Sequence, residues 1–313
     1  MQISAMHKAL FVMPEAAALP RKLFKSRRLQ NLRTDRTFAG QVSRVALRSL
    51  HAELLLYPKP GLVSPIDNGS HLDMTAATFV RSLFSLRRYF ADVTLAGMQA
   101  RDFEELKLLG IQAERRMLRA TAGINTHRGA IFSLGMLAAA IGSCKAQGIT
   151  LTAAAVRAVL LIQWGEALAA HTEPVTSESH GRAAAERYAA SGAREEAAMG
   201  FPSIFEVALP RLHAAIDAGR GMEEAQMDVL FALIAHISDT NLYHRGGLAG
   251  AVLAKAAAQE FLDQGATSNP QWRETALQVH KLFVQHRLSP GGAADLLAAT
   301  CMLQQCISQA VAD

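Results

Sequence analysis

From about residue 40 onward apolar residues recur at steps of three and four, and strict apolar–polar alternation is nowhere sustained. In 103–120, Phe103, Leu106, Leu109, Ile111, Ala113 and Met117 mark one face, while Glu104, Glu105, Lys107 and Arg115 occupy the others. That period is the mark of an amphipathic helix and not of a half-buried strand. The same pattern predicts helices over 41–56, 75–91, 103–120, 129–146, 150–170, 203–218, 223–237, 247–262, 272–286 and 293–308. No repeat of fixed period and no low-complexity linker divides the series. The expectation is therefore an all-α fold, a single bundle-like domain over 41–313 with its site built from loops at helix N-termini.

Composition agrees with the pattern. Of the 313 residues 50% are hydrophobic but only 6% aromatic, and the apolar content leans on Ala and Leu, which favour helices. Charge changes the picture at one place. Residues 1–40 carry eight Lys and Arg against Glu15 and Asp35, a net +6, which leaves the rest of a +5 chain at −1. The basic character belongs to an N-terminal arm, expected to be poorly ordered. The alternatives for it are steering of anionic partners, lying on a membrane surface, or a transit peptide. A nearly neutral body argues against nucleic acid as a partner. The longest uncharged apolar run, 129–144, is short for a membrane span and reads as a core helix, and no stretch is shaped like a secretory signal. Cys144, Cys301 and Cys306 show no framework spacing, which points to a reducing, cytoplasmic setting.

The loops carry the candidate chemistry. The stretch PKPGLVSPIDNGSHLDM, 58–74, sets three prolines, two glycines, Lys59, Asp67, His71 and Asp73 where no helix can run. Asn125-Thr126-His127-Arg128-Gly129, Asp239 to Gly247 and Ser289-Pro290-Gly291-Gly292 each precede a predicted helix. Ser289 suits an N-cap and Pro290 the first helical position, which is expected to leave the amides of Gly291 and Gly292 free for an anion. Lys59, Arg128, Arg245 and the Gly246-Gly247 and Gly291-Gly292 helix starts together would neutralise a polyphosphate. No Walker motif and no GxGxxG is present. Asp67, Asp73, Asp239 and Asp295 lie in or next to these loops and offer oxygens for Mg²⁺, with helix and turn capping as the plainer role. His71-x-Asp73 and His236-x-x-Asp239 have spacings a metal could use, but a zinc site would want three ligands of better-defined spacing, and His236, on an apolar run, reads as a core histidine. Neither Ser70 nor Ser133 has a nameable catalytic partner, and there is no GxSxG.

As a set, these loops resemble the triphosphoribosyl-dephospho-CoA synthase family. Five ordered blocks carry the resemblance: Glu53 with PKPGLV and GSHLDM; INTHRGAIFSLG, 124–135; His180-Gly181 followed by GAREEAAMGFP, 192–202; DTNLYHRGG, 239–247; and SPGGAADLLAAT, 289–300. The family often has Asp-Arg after PKPGLV, where this chain has Ser64-Pro65, and Lys where Arg128 stands. The first difference resembles the malonate decarboxylase branch more than the citrate lyase branch.

The resemblance implies a reaction. The 2′-hydroxyl of 3′-dephospho-CoA attacks C1 of the ATP ribose, adenine leaves, and the triphosphate stays on the product, a precursor of the prosthetic group that a separate transferase attaches to an acyl carrier subunit. The β bond becomes an α linkage, so one inverting displacement is the economical mechanism, with a base on the incoming hydroxyl and help for the leaving group. The expected catalytic residues are His71 and Asp73, with Glu53 and Asp67. Lys59, Asn125, His127, Arg128, Arg194, Glu196, Asn241, Arg245, Gly246, Gly247, Ser289, Gly291 and Gly292 are expected to bind substrate, and Asp239, Asp295 and Asp73 to hold Mg²⁺. A homodimer is a further expectation. The alternatives are an N-glycohydrolase on the same scaffold and a non-catalytic binder of CoA or nucleotides.

Overall fold

Helix follows helix through the described residues, 21–170 and 193–312 of a computed structural model, with no strand among them. The elements are α1 (Arg21–Leu55), α2 (Ala76–Met98), α3 (Phe103–Ala120), α4 (Arg128–Ala146), α5 (Ala153–Ala170) and a short α6 (193–198). A π-helical turn (Ser203–Ala208) runs into α7 (Leu209–Asp217), followed by α8 (Met222–His236), α9 (Thr240–Asp263), a 3₁₀ turn (Ala266–Ser268), α10 (Trp272–Gln285) and α11 (Gly291–Ala312). Residues 1–20 of the predicted arm lie outside the described residues, as do His180, Gly181 and Gly192.

Several boundaries depart from expectation: α2 runs to Met98 and not 91, α11 to Ala312 and not 308, and the helix predicted over 203–218 opens with a π-helical turn. Two starts differ most. The first helix already runs at Arg21, where the described residues start, well before 41. Its early part is dense in Arg and Lys with no apolar stripe for a periodicity test to find, yet both residues are good helix formers. The helix predicted from 247 begins at Thr240, because the Asp239 carboxylate accepts from the Asn241 amide and caps it. The predicted start survives as a kink, where Gly247 has φ 61° and ψ −163° inside the element.

The core is assembled around α4. Leu134, Leu137 and Ile141 on it are fully buried, each burial worth about 2 kcal/mol. α2 packs on α1, α3 and α4. α2 and α4 cross closely because a Cβ at Gly97 would overlap the Ala139 backbone and one at Gly142 would overlap the Thr94 carbonyl oxygen. α4 and α5 are both long and apolar enough to cross a membrane by length and composition, but α4 is mostly buried inside this fold, as a core helix is. All three cysteines are free and buried.

The segment between α1 and α2 is sewn to the junction of α10 and α11. Gly61, at φ 63°, lies against the Leu288 carbonyl, where any side chain would overlap it. The Ser70 amide donates to the Gly61 carbonyl (3.0 Å), and its hydroxyl donates to the Leu288 carbonyl (2.6 Å). From α10, His280 Nδ1 donates to the Lys59 carbonyl (2.5 Å). These ties bring the first and last motif blocks together.

Candidate active site

The segment 58–74 and the N-termini of α4, α9 and α11 converge on one cavity of about 1020 Å³. Two aspartates lock the three helix starts to one another. Asp239 is buried and caps α9, and its other oxygen accepts from the Ala293 amide of α11 (3.0 Å). It also accepts from the amides of Gly292 and of the Asn241 side chain. Asp295, on α11, accepts from the Ala130 amide at the start of α4. The expectation of free glycine amides is therefore corrected. Gly291 donates to the Ser289 carbonyl (3.0 Å) and Gly292 to Asp239. These glycines are small because protein carboxylate and amide groups press on them: a Cβ at Gly292 would sit 3.0 Å from Asp239 Oδ2, and one at Gly291 would sit 2.9 Å from Asn241 Nδ2.

Burial raises the pKa of Asp239, while the amides it accepts from pull it back. Asp295 is pushed well above the usual carboxylate range, first by burial, then by Glu53 and Asp239 beside it. Lys59 is only 1% exposed, and its ammonium donates to Glu53 Oε1 (2.6 Å) and to the Glu53 carbonyl (2.7 Å). Desolvation lowers its pKa, opposed mainly by Glu53. Lys59, expected to hold phosphate, lines the cavity as the buried partner of Glu53.

Two histidines line the cavity, each tied to a serine. His71 Nε2 lies 2.8 Å from Ser289 Oγ, and burial with the nearby Arg245 lowers its pKa to about 4. His127 Nδ1 lies 2.6 Å from Ser82 Oγ, and burial with Lys59 nearby lowers its pKa to about 3. At neutral pH both rings are uncharged.

Most of the expected residues meet here. Glu53, His71, Asn125, His127, Asp239, Asn241, Ser289, Gly291, Gly292 and Asp295 line the cavity, as do Arg194 and Glu196 from α6. Glu196 accepts from the Ser203 hydroxyl (2.6 Å) and amide (3.2 Å), so its carboxylate fastens the π-helical turn. Arg128 and Arg245 line the cavity and are exposed. Arg128 pairs with Glu114, and Arg245 donates to the carbonyls of Arg287 and Ser70. Four residues stay away from the lining. Asp67 accepts from the Gly69 amide and sits 3.3 Å from His280 Nε2, a turn-building role. Asp73 faces solvent, its side chain 66% exposed and 3.9 Å from His71 Nδ1. Gly246 packs on Leu288, and Gly247 forms the kink in α9.

His236 is corrected from a core histidine to an exposed residue at the end of α8 that lines the cavity. The Ser70 and Ser133 hydroxyls both donate to backbone carbonyls. Sequence reasoning missed Ser82 and Thr126, which stand behind His127; no motif flags a serine in the middle of α2.

The residues expected to share Mg²⁺ do not fit one ion. Both oxygens of Asp239 are committed to amides, and Asp73 lies at the surface beside His71 and Arg245. Among the described residues no three metal-capable side chains form a group.

Acids and exposed arginines lining one cavity of an all-helical fold are the features of an enzyme's active site. Comparison with known proteins makes the class specific. The chain belongs to the CitG family, ATP:dephospho-CoA triphosphoribosyl transferase, whose profile matches residues 39–311, and it is a transferase. A relative from Acinetobacter calcoaceticus is 40% identical over 265 residues, 85% of this chain and 90% of the relative. One from Stutzerimonas stutzeri is 38% identical, covering 85% and 92%. Both are named probable 2-(5''-triphosphoribosyl)-3'-dephosphocoenzyme-A synthase. A relative from Pectobacterium atrosepticum, 36% identical over 82% and 85%, carries the same name without "probable". No solved structure matches.

Proposed function

We propose that this transferase moves the triphosphoribosyl group of ATP to the ribose 2′-hydroxyl of 3′-dephospho-CoA and releases adenine. The observation that carries the reading is the division of charge in a single large cavity. Glu53, Asp239 and Asp295 sit inside it, and Arg128 and Arg245 sit where side chains reach solvent. The names of the relatives support the same substrates.

In the displacement, the bond from C1 to the adenine nitrogen breaks as the bond from C1 to the incoming oxygen forms. The hydroxyl proton passes to a base, and adenine takes up a proton as it leaves. Asp295 is the base in this reading, in place of His71 or Asp73. Burial, then Glu53 and Asp239, raise its pKa well above the usual carboxylate range, which makes the carboxylate a better proton acceptor than an ordinary aspartate. His71 is already engaged with Ser289, and its lowered pKa makes it a weak base. The arginines hold phosphates, and Mg²⁺ arrives on the triphosphate as part of the substrate, needing one or two protein carboxylates at most.

Mass spectrometry of ATP plus dephospho-CoA tests the reading. The expected result is free adenine only when both are present, with a product carrying the triphosphate. Asp295→Asn should lower kcat by about 10²–10⁴-fold, the usual span for a lost general base. Adenine released from ATP alone would make the protein a glycohydrolase, and full activity of the variant would place the base elsewhere.

The finer setting belongs to the same proposal. Ser64-Pro65 after PKPGLV supports the malonate decarboxylase branch, with delivery to an acyl carrier subunit by a second transferase in the cytoplasm. Leu161 and Ile162 on the outer side of α5 are exposed and suit the expected homodimer, which sedimentation would detect.

A further inference from the structure

His127 is buried, 3% exposed, and lines the cavity, yet its Nε2 has no hydrogen-bond partner within the protein. A buried polar atom left unmatched costs stability, so such an atom on a residue that lines a cavity points to a ligand. The other side of the ring is fully specified. The Thr126 hydroxyl donates to Ser82 Oγ (2.7 Å), and Ser82 Oγ lies 2.6 Å from His127 Nδ1. Ser82 is completely buried and has one hydroxyl proton, which goes to Nδ1. Nδ1 is therefore the acceptor, and the ring proton sits on Nε2, the unpartnered atom of a cavity-lining residue. Phe79 meets the ring edge-on (5.1 Å, 78°), and the His127 amide is bound by Met117 Sδ, so the ring is held from three sides.

The charge around it selects what it binds. Lys59, the charged group that acts on the ring, is neutralised by its pairing with Glu53, and Asp239 and Asp295 line the same cavity. A triphosphate is favoured at the exposed Arg128 and Arg245 instead. A neutral N–H donor beside a neutralised pair suits an uncharged acceptor that gains negative charge as a bond to it breaks.

We propose that His127, fixed in its Nε2–H form by the Thr126–Ser82 relay, is a catalytic residue that donates a hydrogen bond to N3 or N7 of the departing adenine. The inference rests on the proposed transfer from ATP and adds the orientation of the nucleotide: base inward, phosphates towards the arginines. His127 stabilises the leaving group without giving up its proton, because an imidazole this resistant to charging acts as a dipole and not as an acid. The proton that adenine finally keeps comes from solvent. Ser82 and Thr126 are positioning residues.

The test couples variants to substrate analogues. His127→Phe keeps an aromatic ring and removes the donor; it should lower kcat for ATP by about 10²–10³-fold, with KM changed far less, as expected for one lost donor to developing charge. His127→Gln, which can place an N–H near the same spot, should recover part of that loss. Either 3-deaza-ATP or 7-deaza-ATP should be slowed in wild type by a factor that largely disappears in His127→Phe, because variant and analogue delete the same contact. Losses that multiply independently for both analogues would overturn the proposal, as would full activity of His127→Phe. ¹⁵N NMR of the imidazole gives a readout apart from activity: a protonated Nε2 and a bare Nδ1 in wild type, with the preference weakened in Ser82→Ala. A protonated Nδ1 in wild type would also overturn it. Wild-type protein that releases no adenine from ATP plus dephospho-CoA overturns the transfer itself, a failure distinct from one of coupling alone.

Discussion

Lys59 shows how far burial can change the meaning of a residue. In a loop with Pro and Gly on both sides it reads as an exposed cation, yet its ammonium is enclosed with the Glu53 carboxylate and carbonyl. Taking one member from such a pair leaves a charge with no solvent and no counterion. Glu53→Gln should therefore cost about 3–5 kcal/mol of unfolding free energy. Adding Lys59→Met should return most of it, and a urea-denaturation cycle over the four proteins checks the coupling. Asp67 and Asp239 make the complementary point. Both follow the same sequence logic of an acid beside Gly or Asn in a loop. One builds a turn outside the cavity and the other closes two helices inside it. Spacing along the chain named the right neighbourhood but not the partner, because the partner of Asp239 on α11 lies 54 residues away.

At the scale of elements, the helices were legible and their ends were not. The period of three and four is a local signal, so α3 to α5, α8 and α10 appear within a few residues of expectation. A cap supplied from another helix leaves no local trace. The amides at the start of α4 are met by Asp295 from α11, and those of α11 by Asp239 from α9. The Gly-rich starts therefore resembled open anion sites when they are largely satisfied from within. Gly129 tests this arrangement, since a Cβ there would overlap Asp295 Oδ2. Gly129→Ala should push the carboxylate aside and lower kcat at least tenfold while circular dichroism still reports a helical protein. Misplacing a reacting group by about an ångström is enough for that loss.

For the whole molecule, the blocks singled out in the sequence converge because α1, α4, α9 and α11 bring their ends to one place. Convergence was an inference from resemblance; the order of blocks along a chain does not by itself say that they meet. The charge division inside the cavity was not legible at all, since it depends on which acids are buried and which arginines reach water. The ties between segment 58–74 and the α10–α11 junction carry a further consequence, for the order of assembly. Ser70 reaches Leu288 and His71 reaches Ser289 across 218 residues, and His280 reaches Lys59 across 221. Contacts this remote wait for most of the chain to be in place, whereas helices form locally and early. In refolding, recovery of helical signal should precede recovery of adenine release, and stopped-flow dichroism beside a timed activity assay would separate the two. A nascent chain lacking its last helix would hold most of its helices and still have no chamber in which to react. Competence to bind and turn over substrate thus arrives late in the life of each molecule, after the C-terminal helix has docked.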